Sequence, residues 1–159
     1  MTAVVGIVMG SASDKPVMQH AADTLAGLGV ESELRVLSAH RTPEALRDWV
    51  AESEKRGTKV FICGAGAAAH LAGAVAAITT RPVIGVPLIA ANAVASGLDA
   101  LLSTVQMPRG VPVATVALGE AGAANAGILA AEILAVSDEE LAGRVRMMRE
   151  GMAARVLAG

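Results

Sequence analysis

Short apolar runs rich in Val and Ile alternate with helical patterns from one end of this chain to the other, and no other feature limits its fold as much. "AVVGIVM" (3–9) reads as a strand buried on both faces. "PVMQHAADTLAGL" (16–28) reads as a helix with Ser13 or Asp14 as N-cap and Gly29 at its end. "VESELRVL" (30–37) is a second strand, and "PEALRDWVAESEKR" (43–56) a helix with Thr42 as N-cap, Pro43 in its first turn and Gly57 as its stop. "TKVFIC" (58–63) is a third strand, followed by a glycine-rich loop and a helix from about Ala68 to Thr79. "PVIGVP" (82–87) and "PVATVAL" (112–118) are strands four and five, with a helix near 97–106 between them. "AGAANAGILAAEILA" (121–135) reads as a helix buried nearly all round. A last amphipathic helix starts at about 138, with Ser137 and Glu140 as a capping box. Alternation of this kind predicts an α/β fold, a parallel sheet with helices on both faces and right-handed crossovers.

The 159 residues fit a single domain. The net charge of −2 gives no electrostatic reason to bind nucleic acid, and one Trp, one Phe and no Tyr leave almost nothing for bases to stack on. Cys63 is the sole cysteine, stands at the end of an apolar run and reads as a buried thiol in a reducing compartment. The first cation is Lys15, so the apolar start lacks the basic region of a signal peptide, and a cytoplasmic location is expected. Residues 60–137 carry only Arg81, Asp99, Arg109, Glu120 and Glu132 as charges, and none falls between Val60 and Thr80. That stretch is long enough to span a membrane, but its glycines, alanines and histidine fit a buried strand, loop and helix better. A small domain with so little charge is expected to cover itself with copies of itself, and the last helix is expected at such an interface.

Ligands of parallel α/β sheets bind at the C-terminal ends of the strands, where the strand order reverses. With the order 2-1-3-4-5, three loops become neighbours there, adjacent strands being ~4.8 Å apart. "GSASD" (10–14) offers the Ser11 and Ser13 hydroxyls for a phosphate and the Asp14 carboxylate for sugar hydroxyls. "SAHRTP" (38–43) offers Ser38 and Arg41 for an anion and His40 as an acid or base. "GAGAAAH" (64–70) offers close backbone approach at Gly66 and Ala67, then His70. Each loop alone also has a plain reading: helix capping, a solvated arginine, a histidine satisfied at a helix start. "GAGAAAH" matches G-x-G-x-x-A, but no acidic residue occurs between Glu54 and Asp99, so strand four lacks the ribose-binding carboxylate of a dinucleotide site. The three histidines, His20 on the first helix among them, show no metal-ligand spacing, and neither a G-x-S-x-G elbow nor a Walker loop is present.

Taken together, "GIVMGSASD", "VLSAHRTPE", "GAGAAAHLAG", "GLDALLSTVQMPRGVPVATVALG" and "AGAANAGILAAEILA" resemble, in that order and from about residue 4 to 136, the bacterial class I N5-carboxyaminoimidazole ribonucleotide mutases of purine biosynthesis. The resemblance implies a flavodoxin-like α/β/α subunit in a homo-octamer. It implies a carboxylate moved from an exocyclic nitrogen to ring carbon 4, with no metal, biotin or ATP required. His40 matches the catalytic histidine; Ser11, Asp14 and Arg41 match positions for phosphate and ribose. Ser13, Ser38 and His70, with the backbone of Gly66 and Ala67, are expected to complete the pocket. The chain departs from the family pattern at Lys15, commonly tryptophan, at Ala67, usually glycine, and at Ala72, usually proline. "LIAANAVAS" (88–96) is about two residues longer than usual. The nearest rival is the second class of the family, carboxylases that take carbon dioxide directly; these usually read S-A-H-K-T, so Arg41 and Pro43 favour the mutases. A non-catalytic nucleotide-binding module on the same fold is a further rival, and has no need of His40.

Overall fold

Five strands, β1 (Val5–Met9), β2 (Ser32–Val36), β3 (Val60–Gly66), β4 (Val83–Leu88) and β5 (Ala114–Thr115), form one parallel sheet in the order β2-β1-β3-β4-β5. The computed structural model describes residues 3–159. The helices are α1 (Lys15–Gly27), α2 (Pro43–Arg56), α3 (Leu71–Ala76), α4 (Leu98–Val105), α5 (Gly119–Ala135) and α6 (Glu139–Leu157). This is the expected three-layer α/β/α architecture. No helix among the described residues is long and apolar enough to cross a membrane.

The side-chain period of two divides the strands between two cores. Val5, Ile7 and Met9 of β1, Ile62 of β3 and Ile84 and Val86 of β4 face α1 and α5, with α6 packed outside α5. Val8, Phe61, Cys63 and Val83 face the other way, against Leu46, Trp49 and Val50 of α2 and Leu71 and Val75 of α3. Every residue of β1 is buried, and each fully buried aliphatic side chain contributes roughly 1.5–3 kcal/mol. Alternation puts Gly6 on the second face, where a Cβ would stand 2.9 Å from Phe61, whose ring meets Trp49 edge-on. Burial pushes the Cys63 thiol well above its ordinary pKa, so it is an inert core group.

Several boundaries differ from the sequence expectation, each for a local reason. β3 continues past Cys63 to Gly66 because β4 runs beside it, pairing Gly64 with Val86 and Gly66 with Leu88. The following helix therefore starts only at Leu71 and spans six residues. β5 shrinks from the expected 112–118 to Ala114–Thr115: it is an edge strand with β4 as its one neighbour, and Pro112 has no N–H for a ladder. α5 is buried along Gly122, Ala123, Ala126, Gly127, Ala130 and Ala131, but Ala121 and Asn125 stay exposed, so it is not covered all round. α6 is capped by Asp138, whose carboxylate accepts from Leu141 N (3.0 Å), rather than by a Ser137–Glu140 box.

Candidate active site

The loop after β1 folds into a single 3₁₀ turn, Ala12–Asp14, before α1 begins. Ser11 Oγ accepts from Ser13 N (3.3 Å) and from Ser13 Oγ (2.9 Å), while Asp14 Oδ2 accepts from Ser11 N (3.0 Å). Asp14 stands at the N-cap position of α1, but its carboxylate turns back to Ser11 instead of capping that helix. It is half-buried. Burial raises its pKa above the ordinary carboxylate value; the Ser11 N–H and the charge of Arg41 offset only part of that rise.

The loop after β2 is tied into a knot of its own bonds. Thr42 sits at the N-cap of α2, yet its Oγ1 accepts from Ser38 N (2.9 Å) and donates to Ser38 O (3.1 Å). Ser38 Oγ in turn accepts from the backbone N–H of His40 (3.3 Å) and of Arg41 (3.1 Å). Arg41 Nη2 reaches across to the preceding loop and donates to Gly10 O at 3.0 Å. The guanidinium thus spans the β1 and β2 loops beside Asp14.

His40 Nε2 lies 2.9 Å from His70 Nδ1, with the two rings edge-on at 85°. One nitrogen of the pair holds the shared proton and the other accepts it. His70 immediately precedes α3, where the third loop enters its helix. Ala67, at the turn of that loop, is left-handed with φ 51°. Gly66 lacks a Cβ because Ala90 occupies the space, its own Cβ only 2.9 Å from where one would sit.

These loops surround a cavity of about 540 Å³ at the C-terminal edge of the sheet. Ser11, Ser13, Asp14, Ser38, His40, Arg41, Gly66 and Ala67 all line it. His70 does not; it joins the site through His40. Sequence reasoning missed two contributors: the pairing of His40 with His70, thirty residues apart, and Asn92 with Ala90, which bring the loop after β4 into the lining. The extra length of 88–96 was the one available signal for the latter. A cavity of similar size, about 570 Å³, lies at the opposite sheet edge around Lys59, Leu141 and Arg144. It has no histidine and sits at the strand ends where parallel α/β folds do not bind ligands.

The sequence profile of the AIR carboxylase family matches residues 4–155. The chain belongs to the AIR carboxylase family. The N5-carboxyaminoimidazole ribonucleotide mutase of Vibrio parahaemolyticus is 53% identical over 154 residues, which cover 97% of this chain and 94% of that protein. The protein of the same name from Bacillus subtilis is 52% identical over 157 residues, covering 99% of this chain and 96% of the relative. The fold agrees: Treponema denticola PurE superposes with a TM-score of 0.87 at 31% identity, over 97% of this chain and 94% of that one. The shared fold extends beyond the loops to nearly the full length of this AIR carboxylase family chain.

Proposed function

We propose that the chain is an N5-carboxyaminoimidazole ribonucleotide mutase acting in purine biosynthesis, with His40 as its proton carrier. The observation that carries this reading is the placement of His40: an imidazole on the wall of a cavity whose other polar groups suit a ribonucleotide. Arg41, with the Ser11 and Ser13 hydroxyls, holds the phosphate; Asp14 accepts from the ribose hydroxyls. Ser38 keeps the His40–Arg41 backbone in place through its two accepted hydrogen bonds and adds a hydroxyl to the wall. Gly66 and Ala67 form a ledge for the flat imidazole ring of the substrate.

The reaction then follows from one proton moved twice. The bond between the exocyclic nitrogen and its carboxylate breaks, carbon dioxide leaves, and the electron pair stays on nitrogen, which takes a proton from His40. Ring carbon 4 attacks the trapped carbon dioxide, and the proton on that carbon returns to His40. The imidazole ends as it began, and the net change is an isomerisation. His70 holds the His40 ring at Nε2, which keeps the carrier oriented through both steps. Alanine and leucine side chains around the cavity, Ala39, Ala65, Ala68 and Leu71, limit water while carbon dioxide is free.

Self-association also belongs to this reading. Leu98, Leu102 and Val105 make an apolar stripe on α4, 46%, 51% and 45% exposed, continued by Ile89 and Val94. Met147, Met152, Val156 and Leu157 leave further exposed apolar side chains on α6. Both suit contacts between copies, and the family resemblance supports a number of eight. The single cysteine fits a cytoplasmic setting.

The test supplies purified protein with N5-carboxyaminoimidazole ribonucleotide in bicarbonate-free buffer. The 4-carboxylated ribonucleotide is expected as product, and His40→Asn is expected to lose ~10²–10⁴-fold of the activity with its circular dichroism spectrum intact. Absence of conversion by the unmodified protein would refute the mutase. Conversion only of aminoimidazole ribonucleotide with added carbon dioxide would assign the direct carboxylase instead.

A further inference from the structure

We infer that Asn92 binds the carboxylate that migrates during the reaction, donating to it from its carboxamide N–H; this rests on the mutase reading above. Asn92 lies in the segment after β4 and lines the same cavity as His40, Arg41 and Asp14. The strand order puts that segment on the far side of β3 from β1 and β2. The charged groups of the site, Arg41 and Asp14, stand at the β1–β2 end. A ribonucleotide with its phosphate at Arg41 therefore extends its base toward β3 and β4. Apart from His40, the proton carrier, the lining around that end consists of Ala65, Gly66, Ala67, Ala68, Leu71 and Ala90, none with a polar side chain. Beside His40, Asn92 is the lining side chain there that carries N–H donors.

The carboxamide is free for this task because other groups hold the segment. Ala93 N donates to Ala90 O (3.0 Å), and Val94 N donates to Asp99 Oδ2 (2.9 Å). Asp99 Oδ1 also accepts from Ala100 N at 2.8 Å, so one carboxylate ties the segment to the start of α4. Ala95 and Ser96 are both left-handed, with φ of 48° and 56°, and lead into Gly97 at φ 96°. Residues with a Cβ take up that conformation only where their surroundings hold them, and such strain gathers at ligand sites. Gly97 is itself buried against Leu118 and Ile89. The result is a short, anchored bridge with Asn92 at its cavity side.

The chemistry favours an amide over a cation at this point. The migrating group is an anion in substrate and product but neutral carbon dioxide between them. A guanidinium there would stabilise the two carboxylated states far more than the intermediate and deepen the well the reaction must leave. A neutral N–H donor orients the carboxylate and releases it at smaller cost. Charge on this side chain should therefore matter as much as its presence.

The experiment measures the affinities of 4-carboxy-5-aminoimidazole ribonucleotide and of 5-aminoimidazole ribonucleotide, which lacks the carboxylate, by calorimetry on the full-length protein. For Asn92→Ala the carboxylated ligand is expected to weaken by ~10- to 100-fold while the uncarboxylated one stays within about twofold. Asn92→Asp, similar in size but anionic, is expected to weaken the carboxylated ligand further than alanine does. In turnover Asn92→Ala is expected to raise KM with little loss of kcat. Equal weakening of both ligands would make Asn92 a structural residue and overturn the inference, as would no weakening of either. Failure of the unmodified protein to bind either ribonucleotide would instead overturn the mutase reading beneath it.

Discussion

Asp14 is a carboxylate that the fold holds half-buried at the candidate site, at a cost in stability. Its folded pKa is raised above 3.8 chiefly by burial, and the Ser11 N–H and Arg41 only moderate the rise. A carboxyl with a raised folded pKa disfavours folding once it ionises: the penalty is absent below pH 3.8, grows as pH climbs through the raised value, and is fully present at neutral pH. Asp14→Asn keeps an oxygen that can accept from Ser11 N and removes the buried charge. Thermal melts at pH 7 are expected to show Asp14→Asn as stable as the parent protein or more so, with the gap closing as pH falls toward 3.8. The same variant is expected to raise KM by ~10-fold through the lost charge-assisted bond to the ribose. A variant that melts well below the parent at pH 7 would contradict this account. That Ser11, Asp14, His40 and Arg41 meet around one cavity was legible in the sequence, since each follows a strand of the parallel sheet. Which atoms each would use was not: Ser38, Thr42 and Asp14 all direct side-chain oxygens to local backbone that no spacing rule specifies.

At the level of elements, space rather than propensity separates one helical glycine from another. Gly122, in the first turns of α5, has Ala117 O where a Cβ would be. That neighbour is backbone and cannot rotate away. Gly143, in α6, has nothing within 4 Å of the same point. Gly122→Ala is expected to cost ~3 kcal/mol, at the upper end of overpacking, and to lower Tm by roughly 10 °C. Gly143→Ala is expected to add about 0.5–1 kcal/mol, because alanine is the better helix former and nothing opposes it. Thermal unfolding of the two variants side by side checks both signs. From sequence the two positions look alike, each a glycine that follows an alanine inside a helix. Helices with strong start and stop signals, such as α2 between Pro43 and Gly57, were readable to the residue. Where glycine and alanine dominate, at 64–79, the pattern could not tell where β3 ended, because its last residues are ordered by pairing with β4.

For the molecule as a whole, the apolar stripe of α4 and the exposed methionines of α6 are the features that one chain leaves unsatisfied. Buried between copies, they would bring the hydrophobic stabilisation that a subunit of this size gains by association. Light scattering of the purified protein is expected to give a mass of about eight times 15.9 kDa. Leu102→Glu, which places a charge in the middle of the α4 stripe, is expected to shift that mass downward without unfolding the subunit. A mass of 15.9 kDa for the unmodified protein would exclude self-association.

The alternation of apolar runs and helical patterns was enough to determine the parallel three-layer fold, because period two and period 3.6 are local properties that each segment carries alone. The residue types after β1, β2 and β3 were enough to nominate the site, because the C-terminal sheet edge is where such folds expose their loops. Tertiary structure alone decided that His40 meets His70, that Arg41 closes on Gly10, and that the segment after β4 brings Asn92 into the same cavity. Those contacts join residues tens of positions apart, and their geometry depends on strand order, register and the glycines that let neighbouring loops approach, none of which any one segment encodes.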